Sequence, residues 1–432
     1  MCALACAWGC GAARQPRAQP GAPLTRAAPA FGLTEDNAQL LWHRQAGAGG
    51  MGQAAGDPLP SSAADAVAQE RFALARQELT ALHPNYIRLL IDWAALQPDP
   101  HRPPALEAQR SGCARAVGPC APYAGVRDEL AAIASQQRAA PASDEFQLVI
   151  VIFGTPAWAA DRAESCEQGG RGTFSRPLSA AGLDAYRALI RSLIMLGKSE
   201  GVALDWWSPW NEPNDAAFLS PQRSSCRPGS PAGTTRSAAV YAELVRAMSA
   251  ELRGAGGARH MLVGELNAFA SDAADRTSIS QFVAALPADV LCLADAWSIH
   301  AYASRGGFAP AADPVGVLES ALAARGGCAR EAPIWITEAG AGAPHPGEPR
   351  PAGAADEAAG CLALASQLRG WYRDPRVGVV LQYSFREDPA FAVGLLAPEL
   401  ARAYPSYRLW LALARARAAR EPPPAPAAAC AP

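Results

Sequence analysis

Long runs of one charge and long apolar stretches are both missing from this sequence. The formal net charge is −2, and no cluster of Lys and Arg stands out among the 432 residues. Nucleic acids and acidic membrane surfaces favour clustered basic side chains, so the charge pattern argues against both partners. A membrane span needs roughly 20 uninterrupted apolar residues, and no stretch beyond the N-terminal leader approaches that length. We therefore expect no nucleic-acid partner and no membrane span.

Histidine is also scarce, with six residues in the whole chain. The 11 cysteines lack the paired close spacing, with His partners, that is typical of a zinc site. Several cysteines fall in stretches that are predicted as loops, which favours disulfides and an oxidising compartment over a reduced cytosolic enzyme. We expect the pairs Cys113–Cys120 and Cys166–Cys226.

The two ends of the chain differ in composition from the middle. Residues 1–28 open with a short apolar segment that bears Cys and lacks a basic region. This leader fits a truncated secretion or lipoprotein signal, and equally an N-terminus of no consequence. The segment 421–432 is rich in Pro and Ala and predicts a tail. We predict one folded domain over 29–420 and an extracellular or cell-surface protein, either secreted or lipid-anchored.

Between these ends, short apolar runs alternate with longer amphipathic patterns. Most runs are continuously hydrophobic, as in Phe146–Phe153, which is typical of parallel strands covered on both faces. The segment Ala238–Arg253 instead repeats apolar residues every four positions, which predicts a helix. The eight runs that qualify as strands are Pro29–Glu35, Asn85–Trp93, Phe146–Gly154, Leu204–Trp210, Met261–Phe269, Asp295–Tyr302, Pro333–Gly340 and Val377–Phe385.

Eight repeats of strand and helix favour a (β/α)8 TIM barrel of the α/β class over an open doubly wound sheet. A doubly wound fold usually has a Gly-rich phosphate loop after its first strand, and residues 31–37 supply none. In a barrel the active site lies at the C-terminal ends of the strands. The residues that end each strand are therefore the candidates for function.

In two of the predicted strands, a glutamate comes directly after the apolar run. The fourth delivers Asn211-Glu212-Pro213 and the seventh delivers Thr337-Glu338. A carboxylate directly after an apolar run is costly to bury unless it faces a cavity with partners. Strands four and seven lie on opposite sides of an eight-stranded ring, so the two side chains can flank one bond. One protonated and one ionised carboxyl group facing each other are what glycoside hydrolysis requires.

Together these motifs resemble glycoside hydrolase clan A, whose signature is Asn-Glu-Pro at the end of strand four and a nucleophilic Glu at the end of strand seven. The resemblance covers roughly residues 29–413, and families 39 and 5 are nearest in pattern. It implies a retaining O-glycosidase that acts by double displacement, with Glu212 as acid/base, Glu338 as nucleophile and no metal or organic cofactor. The implied substrate is an oligosaccharide, a polysaccharide or another glycoside with a β or equivalent equatorial linkage.

The same resemblance assigns roles to further residues. Asn211 would hydrogen-bond the 2-hydroxyl of the sugar, and Arg88, near the end of strand two, would keep the nucleophile ionised. His300 and Tyr302, at the end of strand six, would line the site and orient the nucleophile.

Aromatic residues supply the expected sugar contacts. Trp158, after strand three, suits a stacking platform, although a Trp at a strand end is equally often plain packing. Many members of the clan have a Trp at the end of strand eight, whereas this chain has Tyr383, which we expect to form the floor of the sugar subsite. Glu265 and Asn267 end strand five and either line the pocket or support residues that do.

Other functions fit parts of the pattern. The same residues would serve a transglycosylase, in which an acceptor sugar replaces water. A carbohydrate-binding barrel without turnover is disfavoured because both Glu212 and Glu338 are present. A metal-dependent barrel hydrolase would need His-x-His after strand one and further His ligands at strand ends, and only His300 is well placed.

Overall fold

The computed structural model describes residues 29–34, 63–107, 126–139, 145–163, 172–224, 235–303, 312–388, 390–419, 421 and 425–431. Within these residues, each of the eight predicted strands is present, with its bounds shifted by a few positions. The strands are β1 (Ala30–Thr34), β2 (Tyr86–Asp92), β3 (Gln147–Phe153), β4 (Trp206–Ser208), β5 (His260–Asn267), β6 (Ala296–His300), β7 (Ile334–Ala339) and β8 (Val377–Tyr383).

The strands form a closed parallel barrel in sequence order. Each strand pairs with the next, and β1 pairs with β8, with Thr34 opposite Tyr383. Closure in this order satisfies the backbone of every strand and brings all eight C-terminal ends to one face. The predicted (β/α)8 TIM barrel is confirmed.

Helices surround the barrel, and their apolar stripes face it. The predicted stripe on Ala238–Arg253 lies in a helix in which Val240, Leu244, Met248 and Leu252 are all buried. The helices in the described residues are α1 (Ala63–Leu82), α2 (Trp93–Leu96), α3 (Val126–Ala139), α4 (Ala180–Glu200), α5 (Arg236–Gly254), α6 (Ile279–Ala285), α7 (Ala288–Leu291), α8 (Pro314–Arg325), α9 (Gly327–Glu331), α10 (Ala354–Arg373), α11 (Pro405–Ala419) and α12 (Pro426–Ala429).

Aromatic side chains close the N-terminal end of the barrel interior. The ring of Trp335 lies 4.1 Å from that of Trp206 and 4.8 Å from that of Tyr86. Trp206 and Tyr86 are the first residues of β4 and β2, and Trp335 packs with the aliphatic residues of the barrel interior. The interior is therefore filled at one end, which leaves the C-terminal end of the strands for a site.

Among the residues that the structure describes, two disulfides lie outside the barrel. Cys292 pairs with Cys328, and Cys361 of α10 pairs with Cys430. The second disulfide and α12 fix the described part of the predicted tail, residues 425–431, against α10. The expected pairs Cys113–Cys120 and Cys166–Cys226 lie outside the described residues. None of the helices in the described part of the chain is long and apolar enough to cross a membrane.

One buried acid in α3 generates a prediction about stability. Glu129 is 5% exposed, its Oε1 has no hydrogen-bond partner, and burial raises the pKa of its carboxyl group to about 8. A carboxyl group whose pKa is higher in the folded than in the unfolded state destabilises the folded protein. This destabilisation grows as the pH rises from the unfolded pKa of 4.5 to the folded pKa of about 8. Glu129→Gln should therefore leave the free energy of unfolding nearly unchanged at pH 4 and increase it by a few kcal/mol at pH 9.

Urea titrations at both pH values measure this difference. Glu243→Gln, which changes an exposed acid of α5, is the matched control and should show no such growth with pH. An equal effect of both variants at pH 9 would contradict the assigned cost of burying Glu129.

Candidate active site

Glu212 and Glu338 face each other across the C-terminal end of the barrel. Glu212 follows β4 and is 9% exposed, and Glu338 is the second-to-last residue of β7 and is 6% exposed. One carboxylate oxygen of each lies within 4.8 Å of the other. Glu212 has a left-handed backbone with φ 40°, a strained conformation that is common at functional sites.

Arg88 forms ion pairs with Glu338 and Glu265 from inside the barrel. It is the third residue of β2, and its long side chain is fully buried. Its Nη1 donates to Glu338 Oε1 at 2.7 Å, while its Nη2 donates to Glu265 Oε2 at 2.6 Å and to Asn211 Oδ1 at 2.7 Å. The bond to Glu338 is of the kind that the predicted role of Arg88, keeping the nucleophile ionised, requires, and contact with a substrate stays a prediction. Arg88 is the third of the seven residues of β2, which corrects its predicted place near the end of strand two.

A bulge in β5 directs Glu265 into the same cluster. The pairing register of β5 with β6 shifts between Val263 and Leu266, Gly264 has φ 126° and Glu265 has φ 52°. A Cβ on Gly264 would lie 2.4 Å from the carbonyl oxygen of Ser298, so only glycine fits there. The backbone N–H of Glu265 donates to Ser298 Oγ at 2.6 Å. The bulge therefore turns a carboxylate toward the barrel interior, where it is fully buried.

Two cations surround the Glu265 carboxylate. Its Oε2 accepts from Arg88 and lies 2.9 Å from His300 Nε2. Burial alone would raise the pKa of Glu265, but the charge of Arg88 and the hydrogen bond to His300 outweigh burial and lower the pKa to about 2. Glu265 is therefore a permanent anion over the physiological pH range.

His300, the last residue of β6, connects three carboxylates. Its Nδ1 lies 2.7 Å from Glu212 Oε1 and 3.4 Å from Glu338 Oε2, and its Nε2 faces Glu265. Burial alone would lower the pKa of His300, but the charge of Glu338 and the hydrogen bonds to Glu212 and Glu265 raise it to about 10. The ring is therefore an imidazolium at neutral pH, with an N–H on each nitrogen.

Tyrosine and phenylalanine side chains form the side of the site next to Glu338. The hydroxyl of Tyr302 donates to Glu338 Oε2. Burial and the charge of Glu338 raise the pKa of that hydroxyl well above its ordinary value, so it keeps its proton. The ring of Tyr302 meets those of Tyr383 and Phe391 at 6.4 and 4.7 Å. Phe391 is absent from the predicted residues, and only its position shortly after β8 marked it in the sequence.

Hydrogen bonds also orient the loop that carries Glu212. Because Arg88 can only donate, Asn211 must turn its amide oxygen toward it, which leaves the amide N–H groups free to point elsewhere. Asn214 Nδ2 donates to the carbonyl oxygens of Asn267 and Thr277 at 2.9 Å, and its Oδ1 accepts from Asn267 N at 2.8 Å. These bonds tie the loop after β4 to the end of β5. Asn267 supports the loop in this way.

Trp158 contacts residues outside this cluster. Its Nε1 donates to the carbonyl oxygen of Gln97 at 2.7 Å, and its ring meets Trp93 edge-to-face at 6.0 Å. The side chain is half-buried and packs against the outer core. These contacts account for its position, and the sugar platform stays a prediction.

A metal ion would need a cluster of donor atoms, and Glu212, His300 and Glu338 each offer one within 4.8 Å. Both ring nitrogens of His300 already face carboxylates, and Arg88 and the imidazolium already supply positive charge to this cluster. A divalent cation would be repelled by both. We therefore interpret these described residues as an acid–base cluster whose members satisfy one another, and not as metal ligands.

Known proteins resemble this chain in fold. No protein-family model and no curated protein sequence matches it. A GH5 enzyme from Streptomyces cattleya in complex with Manβ1-4GlcNAc has 16% identity and a TM-score of 0.53, over 92% of this chain and 83% of that one. An endo-β-1,6-glucanase has 12% identity and a TM-score of 0.53, over 93% and 79%. A GH1 β-glucosidase from Exiguobacterium antarcticum B7 has 13% identity and a TM-score of 0.50, over 91% and 99%. The chain shares the (β/α)8 barrel with these three enzymes.

The buried position of Arg88 predicts a large loss of stability in Arg88→Met. Removing one partner of a buried ion pair typically costs about 3–5 kcal/mol, because the remaining charge has no compensation. In Arg88→Met, Glu265 and Glu338 would both lose this partner and would share His300 as their remaining cation. The loss should be smaller at pH 4 than at pH 8, since the two carboxyl groups can then take up protons.

Urea titrations of the wild type and the variant at both pH values measure this loss. Arg191→Met, which removes an exposed ion pair with Glu251, is the control and should cost less than about 1 kcal/mol. A pH-independent loss in Arg88→Met would argue against the pairing of charges as its cause.

Proposed function

We propose that this protein is a retaining glycoside hydrolase with Glu212 as acid/base and Glu338 as nucleophile. The observation that carries the proposal is the approach of the two carboxylates at facing strand ends, where one oxygen of Glu212 lies within 4.8 Å of one oxygen of Glu338. Retaining glycosidases hold these groups about 5–5.5 Å apart, whereas inverting enzymes leave room for a water between them, at about 6.5–9.5 Å. The short separation therefore favours double displacement.

In the first step, Glu338 attacks the anomeric carbon while Glu212 gives its proton to the leaving oxygen. The bond from C1 to the leaving group breaks, and an ester bond from C1 to Glu338 forms. Before attack, Arg88 Nη1 and the Tyr302 hydroxyl each donate to one oxygen of Glu338. These two donors stabilise the carboxylate and fix its orientation toward the sugar.

In the second step, Glu212 acts as a base and takes a proton from water, which displaces Glu338 from C1. Asn211 supports both steps, since its oxygen is held by Arg88 and its amide N–H groups are left to donate to the 2-hydroxyl of the sugar. Hydrogen bonds to that hydroxyl strengthen in the transition state of this reaction class. The step uses the protein's own acids and bases and water.

The substrate class that we propose is a β-linked glycoside. The three structures that resemble this chain are of a complex with Manβ1-4GlcNAc, an endo-β-1,6-glucanase and a β-glucosidase, and all three names specify a β-linkage. Tyr302, Tyr383 and Phe391 add an aromatic wall beside the nucleophile, which suits the apolar face of a sugar ring. The two disulfides support folding in an oxidising compartment, and we propose an extracellular or cell-surface location.

The test is a panel of aryl β-glycosides that spans gluco, manno, galacto and xylo configurations. Glu338→Ala should reduce turnover to background. Glu212→Ala should lower kcat/KM for poor leaving groups by about 100- to 10,000-fold, and azide should restore turnover by forming a glycosyl azide of retained configuration. Asp161→Ala, which removes an exposed carboxylate after β3, is the control and should behave as the wild type.

Each of the other outcomes would favour a different function or a different assignment of the residues. Full activity of Glu338→Ala on any glycoside would refute the assignment of the nucleophile. A wild type that binds oligosaccharides without turnover would favour a binding barrel, and oligosaccharide products longer than the substrate would favour a transglycosylase. Loss of activity on treatment with EDTA would favour a metal-dependent enzyme.

A further inference from the structure

Glu265 is a buried anion that the double displacement does not use directly. It neither attacks the sugar nor donates a proton, yet its Oε2 contacts both Arg88 and His300. Both Gly264 and Glu265 have left-handed φ values, and the register shift in β5 places the carboxylate where a regular strand would not. Strained backbone of this kind persists only where the surrounding structure supports it.

The contact of Glu265 with His300 determines which ring nitrogen carries a proton. An ionised carboxylate only accepts hydrogen bonds, so His300 Nε2 must carry the hydrogen that faces Glu265. A neutral ring would then have a bare Nδ1, which could only accept. That bare nitrogen would take the acid proton of Glu212 on Oε1, which lies 2.7 Å away, and the proton would be withheld from the leaving group.

A doubly protonated ring has the opposite effect. Its Nδ1–H donates to Glu212 Oε1, so a protonated Glu212 must carry its hydrogen on Oε2, which His300 does not contact. We propose that Glu265 is a positioning residue that keeps His300 doubly protonated and thereby keeps the acid proton of Glu212 on the oxygen available to the leaving group. This proposal rests on the assignment of Glu212 as acid/base.

The charges that face His300 explain why Glu338 alone is not enough to keep the ring doubly protonated through both steps. The ring is faced by Glu212 from the loop after β4, Glu265 from β5 and Glu338 from β7, with the Tyr302 hydroxyl bound to Glu338. Glu338 loses its charge when it forms the ester, and Glu212 gains one when it gives up its proton. Glu265 is the anion that stays fixed through both steps.

Two measurements on Glu265→Gln test the proposal. The first is 15N NMR of the His300 ring without substrate, which reports its protonation directly. The wild type should show an imidazolium through pH 8, whereas the variant should lose the second proton in the neutral range. The second is kcat/KM for glycosides with poor and with activated leaving groups, since only the former need the acid proton.

We expect Glu265→Gln to lower kcat/KM about 100-fold for an alkyl leaving group and less than about 10-fold for a dinitrophenyl group. Glu265→Asp, which keeps the charge, should retain much of the imidazolium and of the acid-dependent rate. Ser298→Ala is the geometric control, because it removes the hydrogen bond to the backbone of Glu265 without changing any charge. It should lower the Tm and leave the protonation of His300 unchanged.

A neutral His300 in the wild type at pH 7 would overturn the proposal. So would an imidazolium in Glu265→Gln at pH 8, or equal losses for both leaving groups, which would mark Glu265 as merely structural. If Glu265→Gln fails to fold, the spectra of the wild type and Glu265→Asp decide the question. The NMR result does not depend on turnover, so a failure of the proposed function, seen as no activity on any glycoside, is distinguishable from a failure of this inference.

Discussion

The guanidinium of Arg88 is the contact on which the other site residues depend. It lies fully buried inside the barrel and donates to Glu338, Glu265 and Asn211. Carboxylates are expensive to bury without a partner, and a planar fork of donors is suited to several at once. The three partners come from β7, from the bulge in β5 and from the loop after β4. A single buried cation thus fixes groups from three strands to one geometry.

Charge balance follows from the same arrangement. Arg88 and a protonated His300 supply two positive charges, and Glu265 and Glu338 supply two negative charges, so the cluster is neutral when Glu212 carries its proton. During the proposed first step one negative charge disappears from Glu338 and one appears on Glu212. The net charge of this buried cluster therefore stays at zero through both steps. Because changing the net charge of a poorly solvated region is costly, a balanced cluster lets the reaction proceed without importing or expelling a counterion.

The sequence predicts the barrel because parallel strands that are covered on both faces consist of continuous apolar runs, such as Phe146–Phe153. It also predicts where Glu212 and Glu338 lie, since each follows such a run directly. The role of Glu265 is not predictable in this way, because its two partners are 177 and 35 positions away and its direction depends on the bulge at Gly264. The sequence does not predict that Arg88 lies near the start of β2, because it reaches the carboxylates through the length of its side chain and not by lying at the strand end. The disulfides Cys292–Cys328 and Cys361–Cys430 depend on which helices pack together, and local sequence does not encode that.

The central claim is that Glu338 forms a covalent bond to the sugar, and trapping that ester tests it most directly. The wild type is incubated with 2,4-dinitrophenyl 2-deoxy-2-fluoro-β-glycosides of the gluco, manno, galacto and xylo series. The fluorine slows both steps, and the activated leaving group speeds only the first, so the glycosyl ester should accumulate. Intact mass should increase by one fluoroglycosyl group with at least one of these probes, and peptide mapping should place the added mass on Glu338. Labelling of another carboxylate, or turnover of a glycoside to product of inverted configuration with no adduct, would contradict the account.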